Sequence, residues 1–429
     1  MKITNVFITL SKKVHKVLHE LAFKVKHRMH ETDFTRKRKL GFAELCILIL
    51  NCSKRGIHAG LREFMKEFKK VDSYSDSAFC QARQKIRYEA FQEIYEIVGY
   101  GFYEEADYKQ LYNKYRVWAI DGSDINLPNT EKVLQEFGSE PFKHGLQAQS
   151  LVSIIYDVLN HVVIHAVMAP HNANERTLAL EHLSILDKFK TSTNGTYQKE
   201  LLLMDRGYPS EGVISALQSL GYYFVIRSNK KEFWREVRDV CTSDAVIQRT
   251  SASGEQLVVR VVEIPLENGK SETLLTNIMD KDFTISTFSE IYHMRWGIET
   301  NYDILKQVLQ VENFSGISPL CIRQDFYATI FLINLLACLE VDSAYEIEKI
   351  NSSREYKYQY KMNVTRTLST LKESVIALVV TASPAKGKKI FQYIQSELKQ
   401  TLVPVRPGRS SPRKVAHPAL KFPQNKKTI

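Results

Sequence analysis

The sequence predicts an α/β protein: a mixed β-sheet layered with helices, a helical segment before it and a helical, basic segment after it. Three observations predict this. Apolar residues recur at three and four spacing through residues 12 to about 115, almost without proline. From Arg116 the texture changes to short apolar runs, "RVWAID", "SLVSIIYDV" and "HVVIHAVMAP", followed by a helix-like "NERTLALEHLSILDKF". Then come "ELLLMD", a helical patch and "GYYFVIRS", so strands and helices alternate as an α/β layer requires.

The first helical block contains "VHKVLHELAFKV", "GFAELCILILNC", "AGLREFMKEF" and "SAFCQARQKIRYEAFQEIYEIV". A small bundle is expected over 1–115. Ser75 or Asp76 is available as an N-cap, and Gln81, Arg83, Gln84 and Lys85 share the short helix that follows, where polar side chains suit a groove or an ordinary solvated surface. The second block spans 116–345. Its order of three strands, helix, strand is that of a ribonuclease H-like sheet. Between about 229 and 276, "EQLVVRVVEI" and "PLENGKSET" read as an antiparallel β insertion. The third block, 346–429, is helical and ends in a tail rich in proline and basic residues.

With 429 residues, 44% hydrophobic, the chain is long enough for several cores. No N-terminal apolar centre of a signal peptide is present, and the uncharged apolar run 326–339 is too short to span a bilayer, so a buried helix is expected there. The six cysteines form no C-x-x-C pair, which excludes a zinc ribbon and predicts reduced, structural thiols. His27 and His30 lack partner ligands nearby and are read as ordinary residues of a basic segment. The net charge of +11 sits at the ends: residues 1–40 hold eleven Lys/Arg against three acids, and residues 401–429 hold seven against none. Basic ends around a centre of about −4 suit a polyanion partner held by arms.

Chemistry concentrates at two strand ends and one helix. "VWAID" ends on Asp121 and "LLLMD" on Asp205, where open α/β sheets place functional side chains. In "YHMRWGIETNYDILK", wound as a single helix, Tyr292, Arg295, Glu299 and Lys306 fall within about 60° of one another, beside a distinct apolar side made of Ile291, Met294, Ile298, Leu305 and Leu309. A solvated row knitted by an Arg295–Glu299 pair is the plain reading. If Glu299 packs beside the two aspartates, three carboxylates converge and repel, and a divalent cation resolves the conflict. Oxygen donors alone select Mg²⁺ or Mn²⁺ rather than zinc, and two such ions suit in-line phosphoryl transfer on a phosphodiester.

The pattern Tyr-x2-Arg-x3-Glu-x6-Lys at Tyr292, Arg295, Glu299 and Lys306 resembles the YREK signature of DDE transposases in the bacterial insertion sequence four family, to which the transposon five transposase is related. The resemblance extends to "AIDGSDINLP", "LLLMDRGYPS", "LLTN" and "VRPGRSSPRK". It implies a ribonuclease H-like core with Asp121, Asp205 and Glu299 as the metal-binding catalytic triad, spaced by 84 and 94 residues. It further implies that Arg295 and Lys306 contact phosphates and that Tyr292 positions a terminal phosphate or base. Trp296 lies beside the row and is expected either to pack on the insertion or to stack on a base, a use equally open to Phe233 and Trp234. Asp124 and Asp303 fall outside the motif.

The function so implied is metal-dependent cleavage and strand transfer at transposon ends, through a hairpin in some members. Double-stranded DNA is the partner, with a homodimer in a synaptic complex, no nucleotide cofactor and no membrane, in the bacterial cytoplasm at the nucleoid. Helical segments 326–348 and 368–380 are the expected places for association. A transposon-derived DNA binder without cleavage, or a metal-dependent nuclease without strand transfer, are the alternatives.

Overall fold

The computed structural model describes residues 5–36, 38–51, 60–62, 64–65, 74–142, 145–186, 199–266, 269–353, 357–380 and 383–406. Half of the predicted helix segment "AGLREFMKEF" lies outside these residues, as do Cys52 and the basic tail from residue 407. The described chain divides into two compact units, one made of 1–107, 125–150 and 305–429, the other of 108–124 and 151–304.

The second unit is built on a mixed sheet, of whose strands the residues 125–126 and 145–150 are counted with the first unit. Its strands are β1 (Tyr115–Asn126), β3 (Gly145–Asp157), β4 (Val162–Pro170), β5 (Lys199–Met204), β6 (Tyr223–Ser228), β7 (Asp244–Thr250), β8 (Gln256–Pro265) and β9 (Ser271–Thr276). They neighbour one another in the order β4-β3-β1-β5-β6-β9-β8-β7. The first five strands of that series are in the order of a ribonuclease H-like sheet, as the run pattern predicts. β1, β5 and β6 are parallel, with Ile120 opposite Met204 and Met204 opposite Ile226. Such strands have both faces covered, and Val117, Trp118, Ala119, Ile120 and Leu201 to Met204 are all buried. The insertion does not form a separate layer: β9 pairs antiparallel with β6 and is followed by β8 and β7, so it extends the same sheet. Buried Arg116 and Glu200, side by side on the parallel pair, neutralise each other, with Trp118 under the guanidinium.

The first unit is helical. Its core is the helix Pro319–Ser352, opened by Ser318, whose hydroxyl accepts from the Cys321 amide, and by proline at its first position. The apolar run 326–339 lies within it, so the helix outreaches the run; at 34 residues it is long and apolar enough to cross a membrane, yet 83% of its most apolar window is buried inside the protein. Tyr327 stacks between Tyr88 and Tyr95, which places helix Glu89–Glu105 alongside it. Helix Val6–His19 buries Phe7, Leu10, Val14 and Leu18 against these, and a Cβ at Gly101 would collide with Leu10. The segments expected to mediate association turn their apolar residues inward: Leu368, Leu371, Val375 and Leu378 are buried with the run 326–339. Strand β2 (Ser139–Phe142), unforeseen in the sequence, pairs antiparallel with the start of β3.

Three expectations change. Ser75, not Asp76, caps the short helix Asp76–Arg83, accepting from the Ala78 amide. Arg83 faces no groove: it is 2% exposed, and its guanidinium donates to Asp325 Oδ1 at 2.8 Å, the Cys321 carbonyl at 2.9 Å, and the side chains of Gln324 and Ser315 at 2.5 Å each. Among the described cysteines Cys46, Cys321 and Cys338 are buried, while Cys80 and Cys241 are exposed. His27 is a buried structural residue whose Nε2 meets Glu93 Oε2 at 2.9 Å; burial holds its pKa below the usual value.

Candidate active site

Asp121 is not at the end of its strand but at the end of its pairing. β1 runs on to Asn126, whereas its ladder with β5 stops at Ile120. Asp205 follows the last residue of β5 directly, so the two aspartates leave neighbouring parallel strands one position past their last paired residues. Asp121 Oδ1 accepts from the Gly122 amide at 3.0 Å, and Asp205 Oδ1 accepts from the Arg206 amide at 2.7 Å.

The motif helix is broken. Helix Ile285–His293 ends at Met294, and a new helix begins at Trp296 and runs to Asp303. Across the junction the amides of Met294, Arg295, Gly297 and Ile298 bond three residues back, so the chain winds more tightly there than the 100° per residue of a continuous helix. A Cβ at Gly297 would press on Val158 at 3.2 Å. The consequence is that Tyr292 and Arg295 are 5% and 4% exposed instead of forming a solvated row. The apolar side is as predicted: Ile291, Ile298, Leu305 and Leu309 are buried.

Arg295 joins two of the three acids of the expected triad. Its Nη1 donates to Asp121 Oδ2 at 3.4 Å and its Nη2 to Glu299 Oε1 at 2.9 Å. Among the described residues its buried Nε has no hydrogen-bond partner. Tyr292 donates its hydroxyl to Asp205 Oδ1 at 3.4 Å. The Tyr302 hydroxyl meets the Asp121 carbonyl at 2.8 Å and the Val152 carbonyl at 3.1 Å, fixing the second helix against β1 and β3. Burial lifts Asp121 to about 6 despite Arg295 and the Gly122 amide, with Asp205 and Glu175 adding repulsion.

Trp296 is 47% exposed, so it is not packed away in a core, and the Arg295 guanidinium lies 5.5 Å from its ring. Phe233 and Trp234 stack on each other at 4.6 Å, with Arg249 over Trp234. Lys306 falls in the π-helical turn Ile304–Val308, is half-buried, and belongs to the first unit, which resumes at Leu305. Asp124 pairs with His171 at 3.1 Å, and Asp303 is exposed.

Two residues escaped sequence reasoning. Arg227 on β6 reaches Asp205 Oδ1 at 3.8 Å and Glu272 at 2.9 Å. Glu175, at the start of helix Glu175–Leu186, places its carboxylate against Gly122 and Gly207. The strand signal of "YFVIRS" could have flagged Arg227, since it sits on the strand next to the Asp205 strand; Glu175 reads only as a first-turn acid.

The donor set near Asp121 is carboxylate oxygen, which suits a hard divalent cation. Gly122 and Gly207 leave the space a carboxylate needs: a Cβ at either position would approach Glu175 oxygens to 2.5 and 3.0 Å. Among the described residues no three metal-ligating side chains are already gathered into a cluster; Arg295 stands as counter-charge between Asp121 and Glu299.

The family model of the transposase DDE domain matches residues 112–335. Transposase InsG for insertion sequence element IS4 of Escherichia coli (strain K12) is 22% identical over 363 residues, covering 81% of this chain and 78% of the relative. A cryo-EM structure of the piggyBac transposase synaptic complex with hairpin DNA overlays with a TM-score of 0.43 at 13% identity, covering 96% of this chain and 86% of that one. With more than half its length matched by that domain, on the stretch that carries Asp121, Asp205 and the broken motif helix, the chain belongs to the family of DDE-domain transposases.

Proposed function

We propose that this transposase binds the terminal inverted repeats of an insertion sequence and catalyses divalent-metal-dependent cleavage and strand transfer at the element's ends, with Asp121, Asp205 and Glu299 as its catalytic carboxylates. The observation that carries the reading is Arg295: one buried guanidinium holds Asp121 and Glu299, residues 178 positions apart in sequence, against each other. DDE transposases generally use divalent ions, and Mg²⁺ or Mn²⁺, two per site, supply Lewis acidity to the attacking and leaving oxygens when bound.

The chain's own residues do the rest. Asp121, Asp205 and Glu299 would hold the ions. Arg295 exchanges its carboxylate partners for the phosphate beside the scissile bond, where its fork and its unpartnered Nε match two oxygens. Lys306 neutralises a second phosphate, Tyr292 orients the terminal group, and exposed Trp296 stacks on a base. Water attacks first; the freed 3′-hydroxyl then attacks the opposite strand to close a hairpin, a second water opens the hairpin and frees the 3′-hydroxyl again, and that hydroxyl attacks target DNA. Two active sites act together in a homodimeric synaptic complex at the bacterial nucleoid.

The test is cleavage of a labelled duplex carrying the element's terminal repeat, with Mg²⁺ or with the metal chelated. Wild type should nick at the end in a metal-dependent way, and Glu299→Ala should lower the rate by at least a thousandfold while still retarding the duplex on a gel. Binding without nicking by the wild type in Mg²⁺ and Mn²⁺ would overturn catalysis, and nicking without joined products from a supplied 3′-hydroxyl end would overturn strand transfer.

A further inference from the structure

We propose that a basic cavity in the first unit is a docking site for the sugar-phosphate backbone of duplex DNA. This rests on the DNA-binding reading above and gives it a surface apart from the catalytic carboxylates.

The cavity, of about 830 Å³, lies between helix Asp76–Arg83 and the chain at 32–36 and 38–41. Its floor follows from helical periodicity. Tyr74, Ala78, Gln81, Ala82 and Lys85 share one face, and the two alanines, one turn apart, leave a hollow that longer side chains would fill. The polar row on this helix is therefore divided: Arg83 turns into the core, whereas Gln81 and Lys85 turn to the cavity.

The opposite wall is fixed by its own contacts. The Met29 amide donates to the Lys85 carbonyl at 2.9 Å and the Arg87 amide to the His27 carbonyl at 2.8 Å, tying this stretch of chain to the end of the helix. Asp33 accepts from the His30 amide at 3.1 Å and pairs with Lys85 Nζ at 3.2 Å. Phe34 follows with a φ of 58°, in the left-handed region that bulky side chains avoid, and sets its ring edge-on to Phe42 at 5.3 Å. A strained residue of this kind persists where its surroundings over-determine it, and here it turns the chain so that Arg36, Arg38 and Lys39 reach the cavity.

Among the described residues the lining carries four cations, Arg36, Arg38, Lys39 and Lys85, against the single carboxylate of Asp33, which is buried and already engaged by Lys85. Arg36, Arg38 and Lys39 are exposed, so their charge faces solvent and draws an anion. Arginine forks match phosphate oxygens two at a time. Cations on both walls of a cavity wider than one phosphate suit a ligand whose negative charges repeat at intervals, as they do along a duplex backbone.

The test is binding of labelled terminal-repeat and random duplexes to the full-length chain, followed by fluorescence anisotropy at several salt concentrations. Arg36→Ser with Arg38→Ser should lower the slope of log affinity against log salt by up to about 1.8, about 0.9 for each lost phosphate contact, on both duplexes. Arg36→Lys with Arg38→Lys should keep most of the slope. Ala78→Glu, which puts a carboxylate on the cavity floor, should weaken both duplexes about tenfold, while Cys80→Glu, the same charge on an exposed residue of that helix outside the cavity, should stay within about twofold of wild type. Tm of each variant reports folding, and if Ala78→Glu unfolds the protein the arginine pair decides. A wild-type slope in the double serine variant overturns the inference and leaves the cleavage reading standing. Equal losses in Ala78→Glu and Cys80→Glu overturn it as well, because the effect is then one of diffuse charge. If the wild type binds neither duplex, the DNA reading itself falls, and this one with it.

Discussion

Asp121 sits between two opposed influences: burial, which favours its neutral form, and the Arg295 guanidinium, which favours its charge. Burial prevails, lifting the carboxyl to about 6, above the value near 3.9 expected in the unfolded chain. The folded protein thus holds this proton more tightly than the unfolded chain. The stabilisation it gives is complete below about pH 4 and is lost as pH rises through 6. Asp121→Asn should consequently be more stable than wild type at pH 8 in chelator, by about 2 kcal/mol, the full displacement being discounted for residual exposure. The difference should vanish near pH 4. Denaturant titrations of both proteins at several pH values check it; a constant difference would mean that Asp121 is not displaced. The physical point is that burial, more than repulsion from Asp205 and Glu175, sets the cost of ionising Asp121.

At the scale of elements, buried pairs lock helices in place. Arg83, ending helix Asp76–Arg83, and Asp325, in the first turns of helix Pro319–Ser352, neutralise each other with 2% and 8% of their side chains exposed. Replacing Arg83 by Ala strands a buried carboxylate and should cost about 3–5 kcal/mol. Arg83→Ala with Asp325→Ala should recover part of that in urea melts. Neither partner was legible in the sequence. Arg83 looks like any polar residue on a short helix, and its partner lies 242 positions away at the edge of an apolar run. The strands were legible because each is a short apolar run, and Asp121 and Asp205 stood out because a charge directly follows each run. The break at Met294 was hidden, because apolar residues continue at helical spacing through it and Gly297 reads as a weak helix former rather than as a close contact with Val158. Glu175 was hidden for a related reason: acids at helix starts are common, and only the fold brings this one to the two glycines.

Over the whole chain, charge is distributed in a way that bears on DNA binding. Residues 407–429 hold six of the seven Lys/Arg counted from 401 onward. If they neutralise phosphates, deleting them should reduce the slope of log affinity against log salt by up to about 0.9 per lost contact, weakening terminal-repeat and random duplexes alike. Titration of both duplexes at several salt concentrations checks this; an unchanged slope would remove the tail from the DNA contact.

The first unit's three separate stretches have a consequence for how the chain comes into being. Helix Val6–His19 is made early, yet the helix Pro319–Ser352, whose Asp342 accepts from the Val6 and Phe7 amides, is made more than 300 residues later. A nascent chain that stops short of residue 319 contains every carboxylate of the candidate site but cannot close its own N-terminal core. Interrupted synthesis therefore leaves an apolar helix face exposed, the kind of surface that chaperones and proteases recognise.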